Sequence, residues 1–265
     1  MKVYLVCNAR LENLYIQEFV EHYLNLNFDK IIIYDNNDKT GEKISNVIKH
    51  DKVEIVENYR GKGREINGVW YQTLIYTEAY KKYSDECDWI CFFDVDEFLT
   101  LDEKYNNDIK KFLSEEFFEK FESIKLVWKI FDDNNLVHYE KQPVTKRFNK
   151  LSKCQDNQIK TILRTKLNIS ELTCHGTTDI YVKKCNSEGN ECIYIKDEKI
   201  GNYINNPSYQ NAYLSHYRLK TIEEYMHKCS QGSSTYKRTL EYFFEYNDKT
   251  KDKLDYLHSI GINYE

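Results

Sequence analysis

Four runs of apolar residues, separated by segments with helical spacing, constrain the fold of this chain most strongly. The runs are KVYLVCN, KIIIYD, KVEIV and WICFF, which begin at residues 2, 30, 52 and 89. Between the first two runs, apolar residues recur from Ile16 to Leu24 with the spacing of one helix face. Strands that are apolar throughout and alternate with helices are typical of a parallel sheet covered on both faces. We therefore predict an α/β fold with a mostly parallel sheet flanked by helices.

Length and composition exclude several classes of protein. Single hydrophobic cores stop growing at about 250–300 residues, so the 265 residues can form one domain. The net charge of −5 gives no general attraction to nucleic acid or to an anionic membrane. No export signal and no membrane-spanning run of roughly 18 apolar residues is visible. We expect a cytoplasmic protein with reduced cysteines, in which Cys185 and Cys192 could pair only in an oxidising compartment.

The last of the four runs ends in a cluster of carboxylates. In DWICFFDVDEFL, residues 88–99, Asp94, Asp96 and Glu97 follow the apolar run directly. One acidic residue would simply cap the strand, but three at the end of a buried strand favour a functional site. Ligands of parallel α/β sheets bind beyond the carboxyl ends of the strands, and carboxylate oxygens suit Mg²⁺ and Mn²⁺. Asp94 and Asp96 therefore predict a divalent metal site, and Asp35, which ends the second run, is expected at the same crevice.

A buried strand followed by Asp-x-Asp occurs in two enzyme classes. In phosphatases of the haloacid-dehalogenase type, the first Asp is a nucleophile. That motif normally ends the first strand of its domain, whereas three strands precede it here, and Phe98 stands where a small Thr or Val is usual. In nucleotide-sugar glycosyltransferases, the two carboxylates hold a metal ion. Strand order discriminates between the two, because a phosphatase would have Asp94 after the first strand of its domain.

The segment CDWICFFDVDEFL closely resembles the central motif of GT-A-fold glycosyltransferases of the family 92 and family-2-like kind. Further segments resemble that family in order along the chain, up to about Gly232. These segments are VCNARLENLYIQEFVEHYLNLNFDKIIIYDNND, VWKIF, RFNK, KTILR, CHGT and HYRLKTIEEYMHKCSQG. The resemblance implies a GT-A (Rossmann-like) fold with an irregular acceptor-side half.

The resemblance also implies a donor side. Asp94 and Asp96 would hold Mn²⁺ or Mg²⁺ against the donor diphosphate, and the cation would neutralise the charge on the leaving nucleotide diphosphate. His216 matches the family's late histidine and would be a third ligand or a phosphate contact. Lys220 and Arg64 are candidates for binding the diphosphate, because GKGREING at 61–68 fits neither a P-loop nor GxGxxG.

Other site residues have less specific signals. Asp35 would accept hydrogen bonds from the base or ribose of the donor, or it belongs to a surface turn. Trp128 offers a sugar an apolar face, and His175 is expected to contact the acceptor or the transferred sugar, although such residues are more often structural. An inverting transferase needs a carboxylate base. Asp132 and Asp179 are both candidates, and Asp132 stands where family members often have Gly.

Together these features predict a metal-dependent glycosyltransferase that transfers a sugar from a nucleotide-diphosphate sugar to a glycan or lipid-linked acceptor. We expect the donor to be a UDP-sugar and the transfer to invert the configuration of the sugar. The alternatives are the phosphatase or phosphotransferase, and a non-catalytic module that binds nucleotide-sugar or glycan. We expect a single domain over 1–265, with a nucleotide-binding βα half (1–101) and an acceptor half that completes the metal site (102–232). Peripheral helices follow at 233–265, where interleaved Lys and aromatic residues suit a solvated helix or peripheral contact with a membrane.

Overall fold

The computed structural model describes residues 1–63, 65–66, 68–173, 175–177, 179, 181–197, 201–230 and 239–264. The chain divides into two compact units, of which the first comprises Met1–Trp128 and Asn157–Leu214 and the second Lys129–Asp156 and Ser215–Glu265. The strands are β1 Val3–Ala9, β2 Lys30–Asp35, β3 Val53–Val56, β4 Glu65–Ile66, β5 Val69–Trp70, β6 Trp89–Phe92, β7 Glu97–Leu101, β8 Ser123–Ile130, β9 Ile159–Arg164, β10 Lys184–Cys185, β11 Tyr194–Asp197, β12 Gly201–Ile204 and β13 Ala212–His216. The helices are α1 Ile16–Asn25, α2 Tyr71–Tyr83, α3 Ile109–Leu113, α4 Val144–Arg147, α5 Ile222–Ser230, α6 Leu240–Tyr246 and α7 Lys251–Ser259.

The main sheet confirms the predicted α/β architecture. Its strand order is β3-β2-β1-β6-β9-β8-β13-β7, with β10 beside β8. The four apolar runs form β1, β2, β3 and β6, and these four strands pair with one another in parallel. The sheet becomes mixed beyond β6, since β9 is antiparallel to both β6 and β8. Asp94 therefore follows the fourth of the parallel strands along the chain, as the glycosyltransferase interpretation predicts and the phosphatase alternative does not.

Helices α1 and α2 supply the apolar side chains that cover the parallel strands. The predicted face of α1 is buried at Ile16, Phe19, Val20 and Tyr23. Helix α2 packs its buried tyrosines and Ile75 into one cluster with apolar side chains of β1, β2 and β6. Helix α2 therefore shields apolar side chains of the parallel strands from water.

Two segments with helix-forming sequences contain little helix in the structure. Residues 41–50 form only a 3₁₀ turn, Ile44–Asn46. The charged segment from 106 to 121 forms α3 and a separate 3₁₀ turn, Glu116–Phe118, rather than one helix. Phe112 and Phe118 are both fully buried and contact each other with ring centroids 4.9 Å apart. In a continuous helix six residues would place them about 240° apart around the axis, so the break lets both rings face the core.

The second unit is organised around ion pairs buried between its elements. Arg147 on α4 makes a bidentate pair with Glu224 on α5, at 2.7 and 2.9 Å. The Glu224 backbone N–H also donates to Thr221 Oγ1, and the Thr221 N–H donates to Glu224 Oε2, so the two residues form a capping box at the start of α5. On α7, Lys253 lies 2.5 Å from Asp133, and both side chains are almost completely buried. Helix α7 therefore contributes a buried charge to this unit.

Candidate active site

The Asp-x-Asp motif lies at the carboxyl end of β6, in a tight turn before β7. Strand β6 is buried along its whole length. The Glu97 N–H donates to the Asp94 carbonyl at 3.0 Å, and the Asp94 N–H donates to Glu97 Oε2 at 3.0 Å. Val95 points into the core at 2% exposure, whereas Asp94 and Asp96 on either side of it are only partly buried. The turn thus presents the two aspartates at the edge of the sheet, where the sequence predicted them.

The Asp94 carboxylate is held by residues from α2 and β9. Its Oδ1 accepts hydrogen bonds from Gln72 Nε2 at 2.6 Å and from the Tyr76 hydroxyl at 3.4 Å. Its Oδ2 accepts from Lys160 Nζ at 2.6 Å. Sequence reasoning missed Gln72 and Lys160. The available signal for Lys160 was a charged residue in the segment IKTILR, which also contains Ile159, Ile162 and Leu163.

Glu97 belongs to the interior of the turn and not to its exposed side. The side chain is completely buried, with Oε1 3.4 Å from Lys160 Nζ. Burial raises the pKa of Glu97 well above its usual range, while the Lys160 charge lowers it and the charges of Asp94 and Asp96 raise it further. The third carboxylate of the motif therefore fixes the turn and faces a buried cation, leaving Asp94 and Asp96 as the pair that solvent reaches.

His175 and Trp128, both predicted on the acceptor side, lie close to each other, and Trp128 lies close to Lys160. The ring centroids of His175 and Trp128 are 6.0 Å apart, and Lys160 Nζ lies 6.0 Å from the Trp128 ring. His175 Nδ1 hydrogen-bonds to the carbonyl oxygen of Ile159 at 2.7 Å, so Nδ1 carries the proton. Burial and the Lys160 charge lower the pKa of His175 to about 4. The imidazole is therefore neutral at pH 7, with Nε2 as a hydrogen-bond acceptor.

A turn closed on the sheet fixes the position of His175. The His175 carbonyl accepts from Thr161 Oγ1 at 2.9 Å and from Lys125 Nζ at 3.2 Å. Gly176 has φ +118°, and a Cβ atom there would clash with both Lys125 Nζ and Thr161 Oγ1. The HG pair in CHGT thus has a physical basis, because only glycine lets this turn lie flat on β8 and β9.

Asp35 organises the loop that follows β2. The carboxylate is completely buried and accepts from the backbone N–H groups of Asn37 at 2.9 Å and Ile44 at 3.1 Å. Arg60, which the sequence analysis did not single out, pairs with it at 2.6 Å and donates to the carbonyls of three residues in the 38–42 segment. The expected contact with the base or ribose stays a prediction, and this geometry gives Asp35 the role of holding the loop.

Two further predictions concern parts of the chain near this loop and on β10. Arg64 lies outside the described residues. The glycine-rich segment around it contributes β4 and β5, which pair as a short hairpin. Cys185 and Cys192 are both free thiols in the structure.

Three further predicted residues lie in the second unit. His216 ends β13 and is 6% exposed, and Lys220 is 5% exposed with φ +60°. Asp132 is 8% exposed, accepts the Asn134 N–H at 2.8 Å and lies 3.4 Å from Lys150 Nζ. The predicted roles of His216 as a ligand, Lys220 as a phosphate contact and Asp132 as a base stay predictions.

The alternative base, Asp179, lies in the first unit. It accepts hydrogen bonds from Thr177 Oγ1 at 2.6 Å and Ser170 Oγ at 2.8 Å. Although partial desolvation opposes the effect, these bonds and the Lys184 charge lower the pKa of Asp179. The carboxylate therefore ties together the loop from 170 to 179.

Two features concern the described chain as a whole. Within these residues, no three His, Cys, Asp or Glu side chains form a group arranged to hold a metal ion. None of the described helices combines the length and the apolar character needed to cross a membrane.

Comparison with known proteins identifies the family. No curated protein matches the chain at a significant level. The model of glycosyltransferase family 92 matches residues 2–259 of the 265, which include the Asp-x-Asp turn, the segment that contains Lys160 and the turn of His175. Since the match covers nearly the whole chain, this protein belongs to glycosyltransferase family 92 and is a glycosyltransferase.

Proposed function

We propose that this glycosyltransferase transfers a sugar from a nucleotide-diphosphate sugar, with a divalent cation held by Asp94 and Asp96. The observation that supports the proposal is the turn after β6, where the side chain of Asp94 is 34% exposed and Asp96 is partly buried. Both carboxylates lie at the carboxyl end of a parallel strand, which is where α/β sheets bind ligands.

The residues of the turn fit Mn²⁺ or Mg²⁺. Two carboxylates supply the hard oxygen ligands that these ions prefer, and they leave coordination positions for phosphate oxygens. When bound, such an ion would supply Lewis-acid stabilisation of the nucleotide diphosphate as it leaves. The chain's own contribution is positional, because Gln72, Tyr76 and Lys160 fix the Asp94 carboxylate and the buried Glu97 fixes the turn.

His175 and Trp128 support a sugar-binding role beside the turn. The Nε2 atom of the neutral His175 can accept a hydrogen bond from a sugar hydroxyl, and the fixed Nδ1–H prevents the ring from reversing this role. Trp128 is 5% exposed, so it offers a sugar only a small contact area. We propose that these residues orient the sugar, that the donor is a UDP-sugar, and that a glycan or lipid-linked acceptor attacks with inversion.

The first experiment measures thermal stabilisation by UDP, GDP and CMP, each with and without Mn²⁺, on the wild type and on Asp96→Ala. A ligand that binds only the folded state raises the free energy of unfolding, by about 2.7 kcal/mol at one hundred times its Kd. The melting temperature rises as a result. We expect stabilisation by UDP that requires Mn²⁺ and disappears in the variant. Ser45→Ala is the matched control, because Ser45 contacts Glu57 away from the turn.

The outcomes separate the parts of the proposal. Stabilisation by GDP or CMP in place of UDP would change the donor and retain the metal site. Stabilisation by a nucleotide diphosphate that is equal without Mn²⁺ and in Asp96→Ala would refute the metal role of this turn. The stereochemistry of the product, read by NMR once a donor is known, tests inversion.

A further inference from the structure

Lys160 is a buried cation at the centre of the site. Its Nζ lies 2.6 Å from Asp94 Oδ2 and 3.4 Å from Glu97 Oε1, and its side chain is 1% exposed. Asp94 is the only member of this trio that solvent reaches to any extent, since Glu97 is completely buried. Lys160 therefore neutralises the aspartate that is proposed to bind metal.

The strand holds Lys160 in the interior. Lys160 opposes Leu126 in the antiparallel pairing of β9 with β8, and the next residue, Thr161, opposes Phe92 on β6. A buried ammonium group needs a charged or polar partner, because leaving it unpaired is strongly unfavourable. Glu97 Oε1 is the second carboxylate oxygen within ion-pair distance. The ammonium can therefore shift from Asp94 toward Glu97 without leaving the protein.

Both oxygens of Asp94 already have donors. Oδ1 accepts from Gln72 and Tyr76, and Oδ2 accepts from Lys160. A divalent cation that coordinates Asp94 either replaces one of these donors or uses the remaining lone pair of Oδ2, and in both cases it stays close to the positive charge of Lys160. A diphosphate brings negative charge to the same place and compensates for this repulsion.

We infer that Lys160 is a positioning residue, the resident counter-cation of Asp94, which makes the site bind a divalent cation tightly only together with the donor diphosphate. The inference rests on the proposed metal function of Asp94. It implies positive coupling between metal and nucleotide, which by linkage is the same in both directions. It also gives the buried Glu97 a purpose, as the acceptor that keeps Lys160 in the interior when metal occupies Asp94.

The test measures Mn²⁺ binding to the full chain without nucleotide. Electron paramagnetic resonance gives the concentration of free Mn²⁺ during the titration. We expect Lys160→Met to bind Mn²⁺ at least tenfold more tightly than the wild type, and Lys160→Arg, which keeps the charge, to resemble the wild type. The gain should disappear in Lys160→Met/Asp94→Asn. Because Lys160→Met removes the group that faces Glu97, Lys160→Met/Glu97→Gln provides a second variant in which neither side chain can ionise, and the same gain is expected there.

The result that overturns the inference is a folded Lys160→Met or Lys160→Met/Glu97→Gln protein that binds Mn²⁺ no more tightly than the wild type. If Mn²⁺ with UDP still requires Asp94 in that case, the proposed metal site stands and only the role of Lys160 fails. If Asp94→Asn leaves Mn²⁺ binding unchanged both with and without UDP, the metal site itself fails, and the inference fails with it.

Discussion

Lys125 gives the stability of this protein an alkaline pH dependence. The side chain lies on β8 and is completely buried, and its Nζ donates to Thr161 Oγ1 at 2.5 Å and to the His175 carbonyl at 3.2 Å. Burial lowers the pKa of Lys125 to about 7, and the nearby charge of Lys184 contributes in the same direction. Its two hydrogen-bond acceptors are uncharged, so they only partly replace the hydration that the ammonium group loses.

The size of the effect follows from linkage. The unfolded chain holds this proton up to a pKa of about 10.4, whereas the folded chain releases it near pH 7. Between these values the unfolded state binds more protons, so the free energy of unfolding rises with pH. With about 1.36 kcal/mol for each pKa unit, the rise from pH 7 to pH 9 is about 2 kcal/mol.

Urea denaturation of the wild type and of Lys125→Met at pH 7 and pH 9 measures this contribution. Other titrating groups change both proteins in the same way, so the difference between their free energies of unfolding isolates Lys125. We expect the wild type to gain about 2 kcal/mol relative to Lys125→Met over this interval. Lys183→Met is the control, because Lys183 is exposed. A difference between wild type and Lys125→Met that is the same at both pH values would refute the reasoning.

Two further predictions concern His22 and Gly176. Burial lowers the pKa of His22 to about 4, although its hydrogen bond to the Leu99 carbonyl opposes this. The unfolded state therefore takes up the proton first as the pH falls. The contribution of His22 to the free energy of unfolding should fall by about 2 kcal/mol from pH 7 to pH 5. In urea denaturation, His22→Gln should lose about 2 kcal/mol less than the wild type over this interval, because His175, whose pKa is also about 4, contributes to both proteins. Equal losses in the two proteins would refute the role of His22. Gly176→Ala should lower the free energy of unfolding by about 1–3 kcal/mol more than Gly63→Ala, because both glycines have positive φ but only the Cβ at 176 meets other atoms. Equal losses of unfolding free energy in the two variants would mean that the turn at Gly176 accommodates a Cβ atom without strain.

The regular half of the chain was predictable because its signals are local. A strand buried on both faces must be apolar throughout, and a helix that covers it must be apolar on one side, so β1, α1, β2 and β6 follow from spacing alone. The antiparallel strand β9 between β6 and β8 was not predicted, because pairing between segments far apart in the sequence leaves no local pattern. The segment from 106 to 121 looked like one helix for the opposite reason, since its local propensity is helical while the burial of Phe112 and Phe118 breaks it.

The difference between local and long-range signals also explains which residues of the site were predictable. Asp94 and Asp96 are recognisable because the whole signal, an apolar strand that ends in carboxylates, lies within a few residues of sequence. Gln72, Lys160 and the buried Glu97 complete the site from α2, β9 and the start of β7, and only the fold brings them to Asp94. A charged residue inside an apolar strand is nevertheless a signal of its own. A buried ammonium needs either an anion or a lowered pKa, as Lys125 shows. For Lys160 the fold supplies the anion, because Asp94 Oδ2 lies 2.6 Å from its Nζ.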